Sequence, residues 1–312
     1  MTGINTNAEP ARIAKVHTGE PEAPAAPHMR DEIEPPWVKK AGVEQAESKD
    51  ALARYVARHF VRYGMVVFMG PGTTNNRVAQ SIFDFQIDSG TPLDLAILTN
   101  NLTIFALGAD HGKKHPDLFR TTQIISTGGT FQHSINSVVG RFAAQAIESS
   151  VLRPHLVLLG ASGVSFESPD GGLTYHFEDE LEAQSALGTC HTDHRILVCD
   201  HSKLGSSKRW RGCTLRALLS NTSLCTIVTS CPKDDAPADE RASFQSALTS
   251  FKRLVEGLRT SPDNPLTRTT LRLQVVNASG ECIDQLPEQR SKPTASHARV
   301  QRPHVVKRRR TV

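Results

Sequence analysis

G-M-V-V-F-M-G-P-G-T-T-N-N, residues 64–76, joins a short apolar run to the beginning of a helical pattern. The run is rich in Val and Phe, which is typical of a buried strand, and it stops at Gly70-Pro71-Gly72. Two threonines follow, and residues 77–83 then show the apolar spacing of a helix. This segment therefore predicts a strand, a tight loop and the start of a helix.

The loop at Gly72 has the features of an anion-binding site. Glycine lets the backbone approach a ligand closely, and the first amides of a helix have no partner inside it, so an anion can be held there by those amides and the helix dipole. Thr73 and Thr74 would add hydroxyl donors that suit a phosphate ester. The alternative is a simple turn in which a threonine caps the helix. This loop alone does not decide between them.

The same pattern of an apolar run closing on small or polar residues recurs three times. Residues 93–101 close on two asparagines, residues 121–130 on S-T-G-G-T, and residues 156–164 on G-A-S-G-V. Continuous apolar strands alternating with helical segments predict an α/β fold, with a mostly parallel sheet covered by helices on both faces. Ligands of such sheets bind at the carboxyl ends of the strands, where these loop clusters fall.

Composition limits the classes of protein to which the chain can belong. Of its 312 residues 38% are hydrophobic, and both ends are poor in apolar residues. No apolar run is long enough to cross a bilayer, and the N-terminus lacks the pattern of a secretory signal, so the prediction is a cytoplasmic protein without a membrane span. The six cysteines form no C-x-x-C pair. We therefore predict buried or idle thiols, with no metal and no cofactor.

Charge divides the chain into three segments. Seven basic residues and no acids follow Ser291, and subtracting them from the net charge of +4 leaves −3 for the remainder. Residues 1–45 are rich in Pro, Glu and Ala, which predicts an extended lead-in. The expected domain spans residues 46–278, and residues 279–312 are expected to be a basic, disordered tail. The run 307–310, K-R-R-R, is either a solvated charged end or a site for nucleic acid or nuclear import.

Six sequence blocks between Val66 and Gly205 resemble one protein family. In order they are V-V-F-M-G-P-G-T-T, L-T-N-N, S-T-G-G-T with V-V-G downstream, L-L-G-A-S-G-V, G-G-L-T and V-C-D-H-S-K-L-G. Together they resemble the C-terminal effector domain of DeoR-type bacterial transcriptional regulators, over residues 48–276. The resemblance implies a fold related to ribose-5-phosphate isomerase and glucosamine-6-phosphate deaminase, and a phosphorylated sugar or similar metabolite as ligand.

The resemblance also implies which residues form the site. The phosphate would lie on the first glycine-threonine loop, later strand ends would line the pocket, and a lysine would supply positive charge. The implied ligand-binding residues are Gly72, Thr73, Thr74, Asn100, Gly128, Gly129, Gly160, Ser162, Gly163, Glu180, Asp200 and Lys203. No residue is assigned a catalytic role.

The chain departs from the family pattern at several positions. Gly70 stands where the family usually has an aspartate, Ser230 stands where it has the aspartate of a Thr-Asp pair, and His201 takes one serine position of an Asp-Ser-Ser-Lys-like block. Residues 12–19 resemble the family's hinge, yet only eleven residues precede them. A winged helix-turn-helix needs about 55 residues. Direct DNA binding is therefore not expected.

Three functions remain open on sequence alone. The first is a stand-alone sensor domain that binds a phosphorylated sugar, and the fold resemblance is compatible with a homo-oligomer. The second is a sugar-phosphate isomerase or deaminase-like enzyme, in which Asp200, Glu180 or Glu182 would act as the base beside Lys203. The third is nucleic-acid binding through the basic tail. The resemblance favours the sensor, because no acid lies in the loop at residues 160–163, where the related enzymes carry aspartates.

Overall fold

The structure of the protein is a computed structural model that describes residues 45–167 and 171–286. The predicted lead-in before Gln45 and the basic run 307–310 lie outside these residues. Within them the α-helices are α1 (Ala46–Phe60), α2 (Thr73–Ser89), α3 (Leu102–Lys114), α4 (Pro116–Phe119), α5 (Arg141–Glu148), α6 (Leu181–Thr189), α7 (Leu215–Leu218) and α8 (Ala238–Thr260). The strands are β1 (Val66–Met69), β2 (Ala96–Thr99), β3 (Gln123–Ser126), β4 (Thr130–Gln132), β5 (Ser137–Val139), β6 (Leu156–Leu159), β7 (Gly163–Ser165), β8 (Gly172–Tyr175), β9 (Thr192–Cys199), β10 (Trp210–Thr214), β11 (Thr222–Ser230), β12 (Thr270–Val276) and β13 (Cys282–Leu286).

Eight of these strands form the central sheet. Their order is β13-β12-β11-β9-β6-β1-β2-β3, and every neighbouring pair is parallel except β12 with β13. The predicted mostly parallel sheet is confirmed. Since parallel strands end at the same edge, the loops after β1, β6 and β9 lie side by side.

Helices cover both faces of this sheet. Because successive residues of a strand point to opposite sides, each strand contributes side chains to a core on either face. In β1, Phe68 packs into a core with α5, α6 and α8, whereas Val67 and Met69 pack into a second core with α1 and α2. All three side chains are buried. Two separate hydrophobic cores on either side of one sheet confirm the predicted layers.

Two small antiparallel sheets were not expected from the sequence. Strands β10, β8 and β7 form one, and the β4–β5 pair forms the other. The run at residues 156–164, predicted as a strand that closes on small residues, forms β6, and β7 begins within the closing residues at Gly163. Strands of three to five residues are too short to show a reliable alternation of apolar and polar positions.

Some predicted boundaries are wrong. Ser48, placed before the helical spacing of Leu52 and Val56, predicts an N-cap, but helix α1 begins at Ala46 and Ser48 lies inside it. The sequence from Val138 through Ile147 predicts one helix, but that helix begins at Arg141, because Val138 belongs to β5 and Gly140 turns the chain with a φ of 82°. Beyond residue 278, up to which the domain is expected to extend, the described chain forms β13, which pairs with β12. Most β13 side chains are exposed, so hydrophobic patterning gives little sign of this edge strand.

Arg195 in β9 is fully buried and connects several loops at the amino end of the sheet. Its guanidinium donates to the carbonyl oxygens of Leu218 and Cys190, and to that of Ser220 at 2.8 Å. Leu218 ends α7, and Cys190 follows α6. A guanidinium can satisfy several carbonyls at once, so this one side chain fixes the ends of two helices.

His194, next to Arg195, predicts a loss of stability in mild acid. Burial, with a smaller effect of Arg272, lowers the pKa of His194 to about 4. His194 therefore becomes protonated near pH 6.5 in the unfolded chain, whereas in the folded chain it stays neutral until the pH approaches 4. We expect stability to be full above pH 6.5 and to fall by about 3 kcal/mol as the pH drops towards 4.

The measurement is urea unfolding at several pH values between 7 and 4. His194→Gln, which can still bond to the Thr226 hydroxyl 2.8 Å away, is expected to remove most of this pH dependence. His133→Gln, at an exposed loop position, serves as the matched control and should leave it unchanged. Equal pH dependence in the wild-type and His194→Gln chains would contradict the assignment.

The cysteines differ widely in accessibility. Cys199 and Cys225 are buried, and burial raises their pKa values to about 12 and about 11. Burial also raises the pKa of Cys190, Cys213 and Cys231, whereas Cys282 is exposed on β13. No disulfide links any of the six.

None of the helices within residues 45–167 and 171–286 combines the length and the apolar composition that crossing a bilayer requires.

Candidate functional site

A cavity of about 560 Å³ lies at the carboxyl ends of β1, β6 and β9. Three loops that follow these strands form most of its wall, at residues 71–76, 160–162 and 200–203. Helix α6 and the short turn before it, α1, the start of α3, the β4–β5 turn, residues 175–177 and Lys208 complete the lining. The cavity therefore occupies the edge where ligands bind in open parallel sheets.

The first loop presents the amino end of α2 to the cavity. Gly72 is the N-cap residue, with φ 119° and ψ 150°, and it provides no side-chain cap. Thr73 and Thr74 belong to the first helical turn, so the alternative of a threonine cap is wrong. Their amides are among those that have no acceptor inside a helix, and they remain suited to an anion.

The third loop places a buried carboxylate and a lysine in the cavity wall. The ammonium group of Lys203 is 3.7 Å from Oδ2 of Asp200, and the hydroxyl of Ser202 donates to Oδ1. Burial by itself would raise the pKa of Asp200, but Lys203, the Ser202 hydroxyl and Lys49 outweigh it and lower that pKa. Asp200 is therefore ionised at neutral pH and holds positive charge at the cavity wall.

Four buried polar atoms in the lining have no hydrogen-bond partner among the described residues. They are Oγ1 of Thr74, Oδ1 of Asn75, Oγ of Ser134 and Oε1 of Gln184. The side chains of Thr74, Asn75 and Gln184 are 2% exposed or less. Since buried polar atoms are normally paired, four such atoms around one cavity mark a place where a ligand or solvent completes the bonding.

Of the twelve predicted ligand-binding residues, the structure brings eight to this cavity. They are Gly72, Thr73, Thr74, Gly160, Ser162, Glu180, Asp200 and Lys203. Segment 72–74 and Lys203, which follow different strands, thus line one cavity.

The other four predicted residues do not line the cavity. Asn100 is buried and donates from Nδ2 to the carbonyl of Val138 at 3.0 Å, which ties β2 to the β5 strand. Gly128 and Gly129 follow β3, at the far edge of the sheet. Gly163 lies in β7, where a Cβ would be 2.5 Å from the carbonyl oxygen of Ser206. These residues shape the fold around the site.

Several lining residues were not predicted. Lys49 in α1 is only 4% exposed, although it carries a charge, and Gln184 in α6 is 2% exposed. Lysine on the buried face of an amphipathic helix is unusual, so Lys49 could have been noticed from its spacing to Leu52 and Val56.

Tyr175 donates to the carbonyl of Gly160 at 3.4 Å and supports the second loop. Glu182, a candidate base, is exposed and is not part of the lining.

Two of the departures from the family pattern contact each other. Nδ1 of His201 is 2.9 Å from the hydroxyl oxygen of Ser230, and its Nε2 is 2.5 Å from Oε1 of Glu240 in α8. The backbone amide of His201 also donates to Ser230 at 3.0 Å. His201 and Ser230 are buried and do not line the cavity. This pair connects β11 and α8 to the loop that carries Asp200.

Comparison with known proteins gives a family match over more than half of the chain. A model described as the DeoR C terminal sensor domain matches residues 44–220. The lactose phosphotransferase system repressors of two Staphylococcus epidermidis strains are 28% identical to the chain over 169 residues. That region is 53% of this chain and 59% of each repressor. The chain thus spans less than two thirds of the length of these curated relatives.

Solved structures show similarity at low identity. Ribose 5-phosphate isomerase A from Methanocaldococcus jannaschii aligns over 50% of this chain and 52% of its own, with 12% identity and a TM-score of 0.34. A domain of a possible sugar-binding transcriptional regulator from Arthrobacter aurescens TC1 aligns over 77% and 87%, with 12% identity and a TM-score of 0.31.

Proposed function

The chain belongs to the DeoR C-terminal sensor domain family, and from this membership we propose that it senses a phosphorylated sugar or a related metabolite. One observation carries the proposal. The amino end of α2, which has no side-chain cap from Gly72, and the side chain of Lys203 line the same cavity. Backbone amides at a helix start and an ammonium group are both suited to a phosphate.

In this proposal the phosphate lies against the amides of Gly72, Thr73 and Thr74. The Thr74 hydroxyl, buried and without a partner among the described residues, completes the donor set. Lys203 contributes charge from the cavity wall, where Asp200 holds it. The remaining cavity, lined by Ser162 and Glu180, accommodates the sugar.

The role of such binding is regulatory. A ligand shifts a conformational or assembly equilibrium only if it binds one state more tightly than the other. We propose that occupancy of the cavity changes the assembly of the chain with itself or with a partner, in the cytoplasm, where phosphorylated sugars are kept. The curated relatives are repressors of a lactose phosphotransferase system, and a phosphorylated sugar fits that setting.

The proposal is tested by thermal denaturation of the purified chain with a panel of ribose 5-phosphate, fructose 6-phosphate, galactose 6-phosphate and glucosamine 6-phosphate. A compound present at 100 times its Kd stabilises the folded chain by about 2.7 kcal/mol. For a domain of this size that corresponds to a rise in Tm of roughly 5 to 10 °C. The unphosphorylated sugars are the matched controls and should give no shift.

No response to any phosphorylated sugar would contradict the proposal. Ribose 5-phosphate is also followed for isomerisation. Turnover that Glu180→Gln abolishes would favour the enzymatic alternative over the sensor.

A further inference from the structure

The side chain of Gln184 occupies the space beside Gly70, at the end of β1. A Cβ placed on Gly70 would be 3.1 Å from Oε1 of Gln184 and 3.5 Å from its Nε2. The first distance is tighter than most contacts of a real Cβ, so Gln184 would have to shift by a few tenths of an ångström to admit a side chain at position 70. The amide of Gln184 therefore packs directly against Gly70, one of the positions where the chain departs from the family pattern.

Gln184 and Asn75 both approach Gly70 and both keep an acceptor atom without a partner. Asn75 uses its Nδ2 to donate to the carbonyl oxygens of Gly70 at 3.0 Å and Leu158 at 3.4 Å, which fixes the orientation of its amide. Its Oδ1, like Oε1 of Gln184, is buried and has no hydrogen-bond partner in the part of the chain that the structure describes. Both residues line the cavity.

These two acceptors differ in chemistry from the amino end of α2. The amides at Gly72, Thr73 and Thr74 are donors and suit an anion, whereas an amide oxygen is an acceptor and repels a phosphate oxygen. A buried acceptor left unpaired destabilises the site, so a ligand that supplies a hydroxyl donor there gains affinity. The cavity is thus divided into a donor region for an anion and an acceptor region for hydroxyl groups.

We infer that Gln184 is a specificity-determining residue that accepts a hydrogen bond from a hydroxyl group of the sugar. This inference rests on the proposed function and names its ligand class more closely. The ligand is a phosphate monoester of a polyhydroxy compound, with its phosphate at residues 72–74 and a free hydroxyl near Gly70. Asn75 provides the second acceptor for the same part of the ligand.

The test compares two affinities by calorimetry in the wild-type chain and in Gln184→Met. One is for the panel compound that the wild-type chain binds most tightly, and the other is for inorganic phosphate, measured by competition. Met keeps the length of the side chain and removes its acceptor. The expected result is about tenfold weaker binding of the sugar phosphate, with the phosphate affinity unchanged within about twofold.

Two further variants make the result decisive. Gln184→Asn keeps the amide but withdraws it from Gly70, so it should show the same selective loss and can replace the Met variant if that one fails to fold. Gln245→Met makes the same exchange at an exposed position of α8, outside the cavity, and should bind as the wild-type chain does.

Three outcomes would overturn the inference. In the first, the Gln184 variants bind the sugar phosphate as tightly as the wild-type chain, which leaves the proposed function intact. In the second, they lose affinity equally for inorganic phosphate, which would give Gln184 a merely structural role. In the third, the wild-type chain binds no sugar phosphate, and the proposed function fails together with the inference.

Discussion

Gly72→Asp is expected to weaken sugar-phosphate binding by at least about 100-fold, which corresponds to about 2.7 kcal/mol. The new carboxylate would bring negative charge to the amino end of α2, where the phosphate is proposed to bind. Gly72 also has a φ of 119°, which a side chain adopts only with strain. No heavy atom lies within 4 Å of a Cβ at this position, so the aspartate fits without a clash. Calorimetric titration with the panel compounds measures the loss.

Gly64→Asp is the matched control for this substitution. Gly64 also has a positive φ, 74°, and a Cβ there would meet no atom within 4 Å. It precedes β1 and does not line the cavity. The control therefore adds the same charge in a left-handed conformation and should bind as the wild-type chain does. If Gly72→Asp also retained wild-type affinity, the phosphate could not be bound at this loop.

Arg195→Met is expected to lower the free energy of unfolding by about 3–5 kcal/mol. Without the guanidinium, the carbonyl oxygens of Cys190, Leu218 and Ser220 lose their donor in a buried region. Each unsatisfied buried acceptor costs about 1–3 kcal/mol, and the packing of Met recovers part of that loss. Urea unfolding at pH 7.5, where His194 is neutral in both states, measures the difference.

Arg153→Met provides the comparison at the surface. Arg153 is 3.5 Å from Asp193, and both side chains are more than half exposed. Exposed ion pairs contribute about 0–1 kcal/mol, so this variant should unfold almost as the wild-type chain does. A loss below 1 kcal/mol for Arg195→Met would mean that solvent replaces the guanidinium at the three carbonyls.

Most of the central sheet was predictable because its inner strands are buried on both faces. Strand β6, Leu156–Leu159, is entirely apolar, and such runs are recognised without knowledge of the fold. Strand β13, Cys282–Leu286, was not predictable, since its side chains are mostly exposed and its stability comes from pairing with β12. Pairing across the sheet edge is a tertiary interaction that local sequence does not record.

The site was predictable in part, and the order of the strands explains the limit. Strands β9, β6 and β1 are neighbours in the sheet, so the loops that carry Lys203, Gly160 and Thr74 meet. Strand β3 lies two positions beyond β1, which keeps Gly128 away from the cavity. Gln184 comes from a helix rather than a strand end, so the rule that ligands bind at strand ends did not find it.

The distribution of the cysteines makes the native chain convenient for site-selective labelling. Only the thiolate reacts with a maleimide dye, and burial both shields Cys199 and Cys225 and keeps them protonated. Cys282 is the exposed thiol, on an edge strand outside the cavity wall. A fluorophore therefore attaches there first, without any engineered cysteine. The fluorescence of that single dye can report ligand titrations while the binding surface stays unmodified.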